Sequence, residues 1–154
     1  MDEKKTISPF QIIDWRILTF NCTNSMVFVP GDIEHHWKIN AHIEKAPSED
    51  KGILSALLGI EFHFWAEHNG QRNEMFGDCV TMCQLNTLTL EVKEDPQKLF
   101  DGLISQTAMT NSLSNLRVFL LQAGTLHQMG PRRIMLPFIN LNNFVFDKDI
   151  EITD

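Results

Sequence analysis

Positive charge, long apolar runs and paired cysteines are all scarce in this chain, and each shortage removes a class of function. Thirteen Lys and Arg against twenty Asp and Glu leave a formal net charge of −7 and a pI near 5.3. A nucleic-acid backbone or an anionic lipid surface calls for a concentrated positive field, so neither is expected as a partner. No apolar run approaches the length needed to cross a bilayer, and the opening MDEKKTISPF has no apolar signal core. No membrane insertion and a cytoplasmic location are therefore expected. Three cysteines, Cys22, Cys79 and Cys83, do not make a disulfide framework and read as small buried hydrophobes in a reducing compartment.

Signatures of chemistry are missing too. There is no G-x-S-x-G elbow, no P-loop, no H-E-x-x-H and no glycine-rich dinucleotide loop. Cys79 or Cys83 with one of the six histidines is the remaining nucleophile, against which stands the commoner case of buried structural cysteine. On a strand, residues four apart share a face at ~13 Å, too far for a common ion without a bulge, even with His35, His36 or His42 nearby. No metal, no cofactor and no enzymatic activity are expected. His63, between Phe62 and Phe64, reads as a partly covered sheet residue, and Glu61 and Glu67 as solvated carboxylates.

What is present is strand periodicity. The chain has 154 residues, 43% hydrophobic and 21% charged, one domain's worth, so residues 1–154 are read as a single unit without repeats. In residues 53–67 (ILSALLGIEFHFWAE) Leu58, Ile60, Phe62, Phe64 and Ala66 alternate with Gly59, Glu61, His63, Trp65 and Glu67, the period of a half-buried strand. Asn69-Gly70 supplies a tight hairpin turn, and residues 74–85 form the return strand, with a bulge or close backbone approach at Gly77. Residues 87–92 (TLTLEV) extend it or start another. Upstream, residues 12–22 (IIDWRILTFNC) alternate with apolar residues on both faces, Ile12, Leu18 and Phe20 on one and Trp15 and Ile17 on the other. Pro30-Gly31 marks a turn, residues 37–44 (WKINAHIE) place Trp37, Ile39, Ala41 and Ile43 inward, and residues 45–51 form a charged loop.

After residue 92 the period changes to that of a helix. Asp95 suits an N-cap and Pro96 the first turn, and Leu99, Phe100, Leu103 and Ile104 recur at helical spacing towards Ala108. The polar residues 110–114 cap a second helix or kink the first; Leu113, Leu116, Phe119, Leu120 and Ala123 then continue to a stop at Gly124. Residues 130–133 (GPRR) read as a basic loop, and residues 134–146 are apolar but broken by Pro137. Four strands followed by helices give an α+β fold: a four-stranded antiparallel sheet with helices packed on one face. The other face would carry Trp15, Ile17 and Trp65, with Phe76 or Val80, an apolar patch of the kind that joins oligomers.

The order of these features resembles the SecB export-chaperone family over residues 12–146. It is carried by Phe28-Val29-Pro30, a spacer, Trp37 opening an alternating strand, the long aromatic strand ending in Asn69-Gly70, Cys79 on the next strand, and a helix closing in Gly124-Thr125 before Leu136-Pro137-Phe138-Ile139-Asn140-Leu141. The resemblance implies dimers joining into tetramers and ATP-independent holding of unfolded polypeptide clients in apolar grooves. On that analogy Trp37 lies near the peptide groove, with Phe62, Phe64, Leu116 and Leu120 as further peptide-binding candidates. The acidic end, DKDIEITD, departs from the more basic end by which export chaperones contact the motor SecA, which leaves SecA or a toxin–antitoxin protein as the partner. The alternative is a non-catalytic structural or ligand-binding domain that homo-oligomerises through its sheet face.

Overall fold

A computed structural model describes residues 7–26, 33–46, 52–90, 95–126 and 137–153. The alternating stretches form long antiparallel strands: β1 (Phe10–Asn24), β2 (Glu34–Ala46), β3 (Ile53–His68) and β4 (Gln71–Asn86). A fifth strand, β5 (Ile150–Thr153), joins them in the order β1-β4-β3-β2-β5, so the sheet has five strands rather than the four expected. β5 is a four-residue piece within an acidic stretch, too short for its alternation to stand out.

The β3–β4 hairpin is the spine. Asn69 and Gly70 hold φ of 50° and 78°, the two positive values that a two-residue turn matching strand twist requires, and the ladder runs in register from His68↔Gln71 to Ile53↔Asn86. Leu58, Ile60, Phe62, Phe64 and Ala66 all point into the core, as their period demands. So do Trp37, Ile39 and Ala41 of β2. Beyond β4 the chain turns at once: residues 87–89 form a 3-10 turn capped by Asn86, so TLTLEV does not extend the strand over its described residues.

β1 differs from its expected face assignment. Two bulges, between Ile12 and Asp14 and between Ile17 and Thr19, each insert an unpaired residue against β4. Each insertion reverses the side on which later residues fall. Ile12, Trp15, Ile17, Phe20 and Cys22 therefore all lie against the core, and Phe20 meets Phe119 of the helix edge-on at 5.0 Å. Trp15 and Ile17 thus belong to the helix-covered face, not the open one, and Leu18 turns outward. Gly77 sits opposite the second bulge. A Cβ there would come within 2.0 Å of the Thr19 carbonyl oxygen, which is why the position is bare.

Asp95 caps α1 (Pro96–Leu103), its carboxylate accepting from Gln97 N at 3.2 Å. A π-helical turn at Ile104–Ala108 then leads into α2 (Met109–Leu126) without a break. The polar residues 110–114 lie inside α2, which begins before them at Met109, so they do not cap it, and α2 runs through Gly124 instead of stopping there. Phe100, Ile104, Ala108, Met109, Leu113, Leu116, Leu120 and Ala123 face the sheet and complete one continuous core. Ile139, Leu141, Phe144, Phe146 and Ile152 pack half-buried against it. The expected Pro30-Gly31 turn, most of the charged loop and the basic loop lie outside the described residues.

Candidate functional site

Every residue expected to bind peptide sits in the core. Trp37 is 4% exposed, Phe62 3%, and Phe64, Leu116 and Leu120 0%. Phe62 and Phe64 stack at 5.7 Å, and Leu116 and Leu120 lie one turn apart on the sheet-facing side of α2. Their periodicity marked burial, and burial alone does not separate a core from a groove. Trp37 differs from the other four in its place in the sheet: β2 has only the short β5 beyond it.

The open sheet face has two halves. Towards the β3–β4 turn Trp65, expected on this face, is held in a polar box. The His36 ring stacks on it at 5.1 Å and 11°, the His63 ring lies 4.5 Å away, and the Arg72 guanidinium sits 5.3 Å from the indole centroid. Glu74 accepts from or pairs with His63 Nε2 at 3.0 Å, and Phe76 meets His63 edge-on at 5.8 Å. Trp65 is thereby half-covered within the chain, which leaves less of it for a partner.

The other half is apolar and uncovered. Leu18 and Met82 are 56% and 40% exposed, and with Leu57 and Val80 they line a shallow depression bounded by the Asp14–Arg16 ion pair. Arg16 beside Asp14 holds that carboxyl below the usual range. Ile13, lifted out at the first bulge, is 51% exposed along the same edge. β1 is the end strand of the sheet, so its outer main-chain groups have no strand partner among the described residues. Neither Leu18 nor Ile13 was legible as surface, because the bulges that turn them out leave no mark in the alternation. Val80, and Phe76 at 38% exposure, were expected here.

At the opposite edge β5 lies on β2, with Trp37↔Ile152 and Ile39↔Ile150 in register. Its fastenings on the open face are polar: Lys38 Nζ to Asp149 at 3.3 Å, Asn40 Nδ2 donating to Asp149 at 3.0 Å, and His36 Nδ1 with Thr153 Oγ1 at 3.1 Å. The Asn40 amide, then Lys38, keep the Asp149 carboxyl below the ordinary range.

The thiols are placed for packing. Burial pushes Cys79 up to about 11, with the hydrogen bond it shares with the Ser112 hydroxyl offsetting it only in part, and it pushes Cys83 up to about 11 as well. Both are thiols at neutral pH, poor as nucleophiles or metal ligands. Among the described residues no three His, Cys, Asp or Glu side chains are grouped to hold a metal ion, and no helix is long and apolar enough to cross a membrane.

No family model and no curated protein matches the chain. Among solved structures it is similar to a SecB-like chaperone of Mycobacterium tuberculosis in complex with a peptide from an antitoxin, with a TM-score of 0.63 and 11% identity over 84% of this chain and 90% of that one. It is also similar to a Streptococcus agalactiae protein of unknown function, with a TM-score of 0.52 and 9% identity over 84% of this chain and 97% of that one. At such identities the likeness is one of fold: the chain has a SecB-like fold.

Proposed function

We propose that this protein is a non-catalytic, ATP-independent holdase that binds non-native polypeptide in the cytoplasm, in protein export or beside a toxin–antitoxin pair. The observation that carries the reading is the apolar strip of Ile13, Leu18, Val80 and Met82 lying open along β1, the strand at the end of the sheet. Such a surface gains affinity from apolar burial at ~25 cal/mol per Å² and from main-chain hydrogen bonds, and neither term asks for a particular sequence. The SecB-like neighbour solved with an antitoxin peptide supports the same reading. Negative net charge favours clients whose apolar stretches carry basic residues.

A Leu18→Asp/Met82→Asp variant tests this in a light-scattering assay of aggregation of a reduced, unfolded protein. Wild type should suppress aggregation near stoichiometry, and the variant should need roughly tenfold more protein. Absence of suppression by the wild type sinks the reading. The second reading, oligomerisation as the sole use of the surface, is favoured by the same position of β1 at the end of the sheet. It predicts a stable assembly that never binds the unfolded protein.

A further inference from the structure

The geometry points to β5 as the internal occupant of a strand-docking edge on β2, a site whose external occupant is an extended segment of non-native polypeptide with apolar residues at alternate positions. This inference rests on the holdase reading above and adds a second client site with its own guard.

Length is the starting point. β2 is 13 residues long, and among the described residues β5 pairs with four of them, His36 to Ile39. One further main-chain bond, Asp147 N donating to the Ala41 carbonyl, fixes the entry to the strand. β5 also has the pattern expected of an external strand. Ile150 and Ile152 are half-buried opposite Ile39 and Trp37, while Glu151 and Thr153 are exposed, so apolar residues two apart drop on the inward side and polar ones face out. Any chain presenting that alternation meets the same two partners, which is how strand addition combines main-chain affinity with loose side-chain selection.

The occupant is lightly held. Its open-face contacts involve the exposed Asp149, the half-exposed Lys38 and the exposed Thr153, and ion pairs of this exposure contribute little. A terminal strand with one neighbour belongs to the low-stability end of a fold and opens locally before the sheet does. Trp37 beneath it is otherwise well packed, yet its Nε1–H has no acceptor among the described residues. A client then competes with β5, and its apparent affinity is the intrinsic affinity multiplied by the fraction of molecules in which the edge is open. Without a client, β5 covers the edge that would otherwise recruit other strands.

Lys38 and Glu151 are directly opposed across the ladder, so a Lys38→Cys/Glu151→Cys variant locks β5 when oxidised and frees it when reduced. The probe is fluorescein-labelled reduced, carboxymethylated α-lactalbumin, and its Kd is measured in both states, with the intended disulfide verified by peptide mass. In a Leu18→Asp/Met82→Asp background, which removes the β1 strip as a competing site, the expected result is at least tenfold weaker binding by the oxidised form. A chain ending at Asp147 should bind at least fivefold more tightly than the full chain, and the amides of β5 in the full chain should exchange faster when the probe is bound. Equal affinities, within twofold, for the oxidised and reduced forms overturn the docking edge while leaving the holdase reading intact. No binding by either form or by the wild type overturns the holdase reading and this inference with it. Should the shortened chain not fold, the oxidised and reduced forms still decide.

Discussion

Burial decides what Trp37 and the two buried thiols can do. Trp37 is 96% shielded, with Phe64 opposite it across the ladder, so Trp37→Ala should cost ~3–5 kcal/mol of stability, read as a lower midpoint in urea. An unchanged midpoint would return Trp37 to the surface. For Cys79 and Cys83 the sign follows from linkage. Their folded-state pKa values, about 11, lie above the ordinary thiol value of 9.0, so the unfolded chain ionises first. The stabilisation they contribute is complete below pH 9 and is lost as pH rises from 9 to 11. A Cys79→Ala/Cys83→Ala variant should show a flatter decline of its urea midpoint over that window than wild type, and parallel declines would show that other groups set the slope.

At the scale of elements, sequence legibility tracked regularity. The β2 and β3 strands, the Asn69-Gly70 turn and the Asp95-Pro96 helix start could all be read because each rests on a local rule that nothing overrides. β1 departs from plain alternation at its bulges, since one extra residue exchanges the two faces for everything that follows, and so Trp15 and Ile17 lie against the core and not on the open face. The π turn between α1 and α2 and the four-residue β5 carry no compositional sign of their own. Gly77 was legible as a close approach, though not that the bulge lay on the strand opposite. Gly77→Ala would drive a Cβ into the Thr19 carbonyl, a backbone group that cannot swing away. The expected result is ~1–3 kcal/mol of destabilisation with accelerated amide exchange confined to β1 and its β4 partners. Normal protection in β1 would show that the strand shifts to admit the methyl group.

For the whole molecule, the open β1 edge is the feature a monomer would leave least protected. It is long, it carries Ile13 and Leu18 at 51% and 56% exposure, and its two bulges are the only break in an otherwise extended strand. A net charge of −7 opposes close approach of copies, but the charges spread over the molecule are screened within about 8 Å at physiological salt, while the apolar strip is not screened at all. Light scattering at micromolar concentration should therefore give a mass that is a multiple of 17.7 kDa and does not fall in high salt. Two adjacent substitutions separate the faces. Leu18→Asp places a charge on the open side and should reduce the mass to that of one chain with little change in melting temperature. Ile17→Asp buries a charge against the core and should lower the melting temperature sharply instead. Dissociation by Ile17→Asp with the fold intact would mean that β1 presents its other side, and that the two bulges do not set the register in solution.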